Sequence, residues 1–252
     1  MAPFSPKKRN FRDLSYLVNE EGLRLKEGLF FRSGHLYGLS KKERRFFQGL
    51  HLENILDLRT SGERGKKPDD EPFLSRGHEV PILRAETLGI THERGLKAYK
   101  RPPEMNELYR RIVLDEHSSE AMGEALRKLL TVEGARLWHC TAGKDRAGLL
   151  TALFLSALGY KEEDIVADYV RSDKINRKRG ARYRALILVF LWKKKLAQGV
   201  YKAMRADKEY LHSAFDAMIE VAGSIKDYVH QRLKISQDEI DAFKAKYMVK
   251  AA

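Results

Sequence analysis

Cysteine is almost absent from this chain, since its 252 residues contain one, Cys140. A single cysteine excludes an internal disulfide and with it the class of domains that disulfides stabilise. No apolar run approaches the roughly 20 residues that cross a bilayer as a helix. Residues 1–13 also lack the apolar segment of a secretory signal peptide. Together these absences predict a protein of the reducing cytoplasm.

Acidic residues are outnumbered by basic ones, 35 against 48, which gives a formal net charge of +13. A charge of this size indicates an anionic partner. The aromatic-basic interleaving and the motifs of nucleic-acid-binding proteins are missing, so we expect no nucleic acid among the partners. The sequence leaves the oligomeric state open.

Apolar segments alternate between short runs and helical spacing, which predicts an α/β fold with strands and helices in succession. With 43% hydrophobic residues, the chain can bury a sizeable core. Strands are predicted near 29–32, 54–58, 79–83 and 136–139. Helices are predicted near 40–49, 104–114, 118–130 and 146–158, and helices alone after 159. We expect a single domain over 1–252.

One decapeptide, HCTAGKDRAG at 139–148, contains the cysteine between an apolar run and a helical pattern. A free thiol has a pKa of about 8.5 and is only a few per cent thiolate at neutral pH. Backbone N–H groups at a helix start, together with a nearby cation, stabilise the thiolate, and the same N–H groups bind phosphate oxygens. One loop can therefore activate Cys140 and hold a phosphoryl group.

Arg146 follows Cys140 by six residues, a spacing that lets a ring of amides close around one phosphoryl group. Its planar guanidinium suits two phosphate oxygens at once, and Gly143 suits a tight loop with positive φ. We predict a cysteine-dependent phosphatase in which Cys140 forms a cysteinyl phosphate, with no metal and no organic cofactor. The predicted substrate-binding residues are Thr141, Ala142, Gly143, Lys144, Ala147 and Gly148.

Two competing interpretations of the loop are weaker. A structural buried cysteine is the usual fate of a lone thiol, but two glycines and three charges surround this one. A nucleotide-binding P-loop needs Gly where Trp138 stands and Ser or Thr where Asp145 stands.

Two aspartates are candidates for the general acid, which must reach the leaving-group oxygen. We predict Asp145, although a carboxylate at a helix start is also favoured by the dipole alone. Asp57 ends an apolar strand, where it could instead orient Arg59 or Arg146. His139 is expected to pack beneath the loop and to shape it. Lys144 is either a solvated loop lysine or a second anchor for a multiply phosphorylated substrate.

The decapeptide closely resembles the HCxxGKDR loop of the atypical bacterial and fungal phosphatases in the protein tyrosine phosphatase superfamily. NFRDL at 10–14, FRSGHL at 31–36 and ILDLRT at 55–60 with Glu63 resemble further motifs of that family, and 210–228 resembles its helical tail. The resemblance implies a central sheet flanked by helices, with an extra C-terminal helical region. It also implies hydrolysis of phosphotyrosine, often of phosphoserine and phosphothreonine, and sometimes of phosphoinositides.

Ala147 departs from the family pattern, which usually has Thr or Ser immediately after the loop arginine. The hydroxyl there is thought to donate to the cysteine sulfur and to help the phosphoenzyme break down. Two alternatives therefore stay open. One is a phosphoinositide or inositol-phosphate phosphatase, which Lys144 favours, and the other is a phosphate-binding module with little turnover.

Basic residues are concentrated between 171 and 195, on both sides of the apolar run 185–192. The run is either part of a buried helix with solvated ends or part of a helical lid over the catalytic loop, at 172–206, as in some family members. A basic and apolar lid suits an anionic lipid surface. The expected partners are a phosphorylated protein or phosphoinositide substrate, with an anionic membrane surface as a further contact.

Overall fold

A five-stranded mixed sheet forms the centre of the computed structural model, which describes residues 6, 9–84 and 104–251. Its strands are β1 (Arg12–Asp13), β3 (Phe30–Gly34), β4 (Leu52–Asp57), β5 (Gly77–Glu79) and β6 (Ala135–Cys140). They lie in the order β1-β3-β6-β4-β5, and all neighbours are parallel except the β1–β3 pair. The carboxyl ends of the four parallel strands therefore meet at one edge of the sheet.

Helices flank this sheet and make up most of the second half of the chain. In the first half they are α1 (Lys41–Gln48), α2 (Ser61–Lys66), α3 (Met105–Leu114) and α4 (Glu116–Thr131). After β6 come α5 (Asp145–Ala157), α6 (Glu162–Arg171), α7 (Asp173–Leu191), α8 (Lys194–Met204), α9 (Lys208–Ala222), α10 (Ile225–Asp227) and α11 (Gln237–Tyr247). A 3₁₀ turn covers Leu74–Arg76, and a π-helical turn at Tyr228–Arg232 continues α10. These elements confirm the predicted α/β fold with flanking helices.

Two predicted elements differ from the structure. The strand predicted near 79–83 lies at 77–79, and Pro81, which has no N–H for a sheet ladder, follows soon after it. The predicted C-terminal run of helices ends in a strand, β7 (Met248–Lys250), which pairs with β2 (Leu23–Leu25) as a separate antiparallel ribbon. A partner more than 200 residues away decides that pairing, so no local pattern predicts it.

The middle strand and the helix after it are the most deeply buried part of the fold. Every residue of β6 is buried, and α5 is buried without interruption from Arg146 to Leu155. Trp138 on β6 donates through Nε1 to Thr151 Oγ1 on α5 at 2.9 Å. Each fully buried large apolar side chain contributes about 1.5–3 kcal/mol. The loop between β6 and α5 is therefore fixed at both ends by the core.

Helices α7 and α8 form a hairpin (173–204) with a small core of its own, made by Ile187, Leu196, Ala197 and Val200. Towards the tip of the hairpin, the apolar run turns outward. Val189 is 65% exposed, Phe190 73% and Trp192 85%. The interpretation of 185–192 as part of a buried helix is therefore wrong for most of the run, in which Ile187 alone is buried, because α8 covers only one side of α7. Among the described residues, no helix has the length and apolar character needed to cross a membrane.

Candidate active site

Cys140 is the last residue of β6, and its side chain lies at the base of the loop 141–144 with 2% of the residue exposed. Gly143 gives this loop its tight shape, with φ of +65°. A Cβ at Gly143 would lie 2.5 Å from the carbonyl carbon and oxygen of Ser33 on β3. Only glycine combines this φ with such a close backbone approach.

The carbonyl of Gly143 is held from outside the loop by two donors. Asn10 donates to it through Nδ2 at 2.6 Å, and Arg32 donates through Nη2 at 2.9 Å. In a trans peptide the N–H of the next residue points opposite to the carbonyl. The N–H of Lys144 therefore points away from these two donors.

Arg146 begins the first turn of α5 and is paired with Glu63 on α2. Its Nη1 and Nη2 donate to the two carboxylate oxygens at 2.6 and 2.7 Å, and Nη1 also lies 3.3 Å from the carbonyl of Leu58. A guanidinium has five N–H groups. Within the described residues, the Nε–H and the second hydrogen of Nη2 are left, both on one edge. Glu63 occupies the end of the guanidinium formed by Nη1 and Nη2. The predicted bidentate contact with phosphate therefore fits the edge formed by Nε and Nη2.

Burial disfavours the charged forms of both side chains, but the ion pair between them outweighs this effect. It raises the pKa of Arg146 and holds the pKa of Glu63 well below its usual range. Glu63 also accepts a hydrogen bond from the Thr141 hydroxyl in the loop. A capping box with Thr60 places Glu63 in the first turn of α2. Local helix-start chemistry thus positions the carboxylate that orients the loop arginine.

The two candidate acids differ in what holds them. Asp57 accepts from the Arg59 side chain at 2.6–3.1 Å and from its backbone N–H at 3.0 Å, so both of its oxygens are engaged in a buried pair. Asp145 has 28% of its side chain exposed. Tyr109 donates to its Oδ1 at 2.7 Å, and Lys144 Nζ lies 3.1 Å from the same oxygen. In the part of the chain described, both of these contacts use Oδ1, and Oδ2 accepts no hydrogen bond.

Sequence comparison with known proteins agrees with this geometry. The sequence profile of the tyrosine phosphatase family matches residues 5–249. The chain belongs to the tyrosine phosphatase family. It is a cysteine-dependent phosphoric monoester hydrolase.

Three relatives are each 30% identical to this chain but differ in how much of it they match. A candidate tyrosine-protein phosphatase of Cupriavidus necator is 30% identical over 90% of this chain and 82% of its own length. The triple specificity protein phosphatase PtpB of Mycobacterium tuberculosis is 30% identical over 87% of this chain and 90% of its own. A tyrosine-protein phosphatase of Nostoc commune is 30% identical over 57% and 48%, respectively.

His139 of the phosphatase packs beneath the loop, fully buried, with Nε2 2.9 Å from Asp69 Oδ2 and Nδ1 3.8 Å from Asp57 Oδ1. Burial alone would lower the pKa of His139, but the two carboxylates raise it. Among the described residues, this trio is the one group whose ligand atoms lie close enough to hold a metal ion. Arg59 already pairs with both carboxylates, at 2.6 and 2.9 Å, and its charge would repel a cation. The trio is better suited to fixing the strand ends that carry the loop.

Lys144 is neither solvated nor directed into open space, since only 3% of it is exposed. Its ammonium donates to the carbonyls of Ala203 and Arg205 at 2.6 and 2.8 Å, at the end of α8. The solvated interpretation is therefore wrong. In this structure the lysine links the catalytic loop to the base of the hairpin.

The other predicted loop residues follow Cys140 in the loop and in the first turn of α5. Thr141 and Ala142 are half-buried, and Ala147 is fully buried in the first turn of α5. Gly148 lies against Tyr169, where a Cβ would stand 3.0 Å from the ring. Gly148 thus permits the close approach of α6 to α5.

Several residues around the loop are not predicted by its local pattern. Asp168 on α6 pairs with Arg32 at 2.9 Å and so holds the arginine that supports Gly143. Tyr109 on α3 bonds to both Asp145 and Tyr169, each at 2.7 Å. Neither Asp168 nor Tyr109 lies in one of the motifs. Each contacts a motif residue, Arg32 or Asp145, only in the folded structure.

Proposed function

We propose that this phosphatase hydrolyses phosphotyrosine monoesters, with phosphoserine and phosphothreonine as further substrates. Cys140 attacks phosphorus, the S–P bond forms as the ester P–O bond breaks, and water then hydrolyses the cysteinyl phosphate. The two N–H groups of Arg146 that neither Glu63 nor the Leu58 carbonyl uses, together with the loop amides, stabilise the equatorial oxygens. This unused guanidinium edge beside the buried thiol is the observation that carries the proposal.

Asp145 is proposed as the general acid that protonates the leaving oxygen and later helps to activate water. Its half-open position and its unengaged Oδ2 support this role, whereas Asp57 is committed to Arg59. Thr141, Ala142, Gly143, Lys144, Ala147 and Gly148 complete the proposed substrate loop. Of these, Lys144 would act through the loop backbone, because its ammonium is directed to α8.

The surroundings of the loop extend this proposal. We treat 1–252 as one phosphatase domain, with 172–206 as a helical lid whose base meets the catalytic loop at Lys144. A reducing cytoplasmic setting would keep Cys140 active, because the chain has no second cysteine with which to protect it as a disulfide. The triple specificity in the name of one relative supports a broad substrate range here.

Substitution of the nucleophile and of the two aspartates tests the mechanism. Cys140→Ser is expected to abolish turnover of an aryl phosphate while phosphate binding survives in part. Asp145→Asn should lose more activity on esters with poor leaving groups than on those with good ones, since only the former need protonation. Asp57→Asn is the matched control and should show no such dependence. Activity above background in the Cys140 variant would refute the covalent mechanism, and a complete lack of turnover in the native protein would indicate a phosphate-binding module.

Phosphoinositides on an anionic membrane surface are the second candidate substrate, favoured by one observation. Residues 174–206 contain no Asp or Glu, although Lys and Arg occur throughout this stretch. Apart from Asp173 at its base, the lid carries charges of one sign, which attract a multiply charged headgroup. Turnover of a phosphotyrosyl peptide and of a phosphoinositide, compared as kcat/KM, decides between the two candidates.

A further inference from the structure

The tip of the α7–α8 hairpin, residues 186–195, exposes apolar side chains that no other part of the described fold covers. Val189, Phe190 and Trp192 are 65–85% exposed. They are not needed for the hairpin itself, because Ile187, Leu196 and Val200 pack its inner side. Clustered exposed apolar side chains of this size on a folded domain indicate an interaction site.

The charge around the tip is of one sign. Lys193, Lys194 and Lys195 follow Trp192 directly, and all three are exposed. Residues 174–206 contain eleven Lys and Arg residues and no acidic residue, and the one acidic residue of the hairpin, Asp173, pairs with Arg205 at its base. A partner with complementary charge must therefore be anionic over an extended surface.

The combination fits a bilayer better than a protein partner. Trp and Phe with adjacent lysines are the composition of segments that enter the membrane interface, where the rings lie at headgroup level and the ammonium groups meet anionic lipids. A side chain of this kind buries about 150–250 Å². Phe190 and Trp192 together provide about 300–500 Å², well below the roughly 800 Å² per partner that a stable protein interface buries. A shallow insertion that is reinforced by charge needs no larger area.

We propose that the hairpin tip docks on an anionic lipid bilayer, with Phe190 and Trp192 inserted at the interface and Lys193–Lys195 on the headgroups. The base of the same hairpin contacts the catalytic loop through Lys144. Docking of the tip would thus tether the catalytic loop to the membrane through the hairpin, whose 19-residue α7 is about 28 Å long. The inference concerns binding, so it holds for a phosphoprotein substrate as well as for a lipid one.

The chain offers a direct spectroscopic test, because it has two tryptophans and Trp138 is fully buried. A change in tryptophan emission on adding vesicles therefore reports Trp192. We expect a blue shift with vesicles of phosphatidylcholine and 30% phosphatidylserine, none with phosphatidylcholine alone, and reversal of the shift by high salt. No shift with the anionic vesicles, or equal shifts with both kinds, would overturn the proposal.

Variants separate the apolar and the charged contributions. Lys193→Gln/Lys194→Gln/Lys195→Gln should weaken partitioning, measured by vesicle sedimentation, about a hundredfold, because a lysine near an anionic surface contributes roughly fivefold. Phe190→Ser should weaken it as well. The matched control is Lys41→Gln/Lys42→Gln/Lys208→Gln, which changes the net charge equally on exposed sites of other helices. Equal losses in both triple variants would mean that net charge alone drives binding, and the docking surface would be refuted.

Two further measurements distinguish membrane docking from a loss of catalysis and from self-association of the protein. Turnover of a soluble aryl phosphate should be unchanged in the tip variants, so a failure of catalysis leaves the binding result interpretable. Sedimentation without vesicles tests whether the tip binds a second copy of this chain instead. Self-association that Phe190→Ser abolishes, with no vesicle binding in the native chain, would assign the tip to a second copy and overturn the membrane proposal.

Discussion

Neutralising Glu63 should destabilise the phosphatase strongly, although Glu63 itself does no chemistry in the proposed mechanism. Its carboxylate binds both terminal nitrogens of Arg146, and the two side chains are 5% and 8% exposed. Removing one partner of a buried ion pair costs about 3–5 kcal/mol, because the other charge stays buried without compensation. Glu63→Gln keeps one acceptor, so we expect about 3 kcal/mol in urea unfolding and a Tm roughly 6–12 °C lower. The value of kcat/KM should fall too, since the guanidinium loses its fixed orientation.

A matched exposed pair provides the control for this prediction. Glu107 contacts Arg111 at 2.8 Å on the surface of α3, and the two side chains are 54% and 65% exposed. Glu107→Gln makes the same chemical change and should cost at most about 0.5 kcal/mol. Equal effects of the two substitutions would refute the argument from burial.

The pH dependence gives a second check on the same pair. Arg146 holds the pKa of Glu63 below its ordinary value despite burial, so the stabilisation is present above the unfolded-state pKa of about 4.3 and is lost as the pH falls. The difference in unfolding free energy between the native protein and Glu63→Gln should therefore narrow below about pH 4. A difference that stays constant down to pH 2 would mean that the charge of Glu63 contributes nothing to the stabilisation.

Three further substitutions test the loop. Arg146→Lys should be nearly as damaging to kcat as Arg146→Ala, because an ammonium lacks the planar edge for two phosphate oxygens; recovery of most of the activity by Lys would reduce the site to a point charge. Gly143→Ala should cost at least about 1–2 kcal/mol from its φ alone and should also displace Ser33. Gly65→Ala, in α2 with no atom within 4 Å, should instead leave the Tm unchanged or raise it, because alanine favours a helix over glycine by about 0.5–1 kcal/mol. Ala147→Ser should raise the steady-state rate by ten- to a hundredfold, the effect of one hydrogen bond to a charged sulfur at about 1.5–3 kcal/mol, and should diminish a pre-steady-state burst of phenol; absence of both effects would show that phosphoenzyme breakdown is not limiting.

The catalytic loop could be predicted from sequence because its chemistry is local. A thiol, a glycine with positive φ and an arginine at fixed spacing lie within seven residues, and the apolar patterns on either side predict the strand and the helix. The family resemblance added Glu63, although its contact with Arg146 appears only in the structure. Motif residues such as Asn10 and Arg32 likewise prove to support the loop from outside.

What the sequence could not predict depends on contacts between distant segments. Asp168 and Tyr109 have no local signature, because the groups that they hold lie 136 and 36 residues away along the chain. The outward turn of the run 185–192 escaped prediction for a related reason. Eight consecutive apolar residues do not reveal which side of a helix its neighbour will cover.

The two hydrogen bonds from Lys144 to the carbonyls at the end of α8 couple any movement of the hairpin to the catalytic loop. When the end of α8 departs, a buried ammonium loses its acceptors beside the anion-binding amides, so the loop pays part of the free energy of opening. Linkage is reciprocal: an oxyanion that binds more tightly to the closed form must favour closure by the same factor. Amide hydrogen exchange in α8 should therefore slow when phosphate fills the catalytic loop, although the two segments belong to different elements.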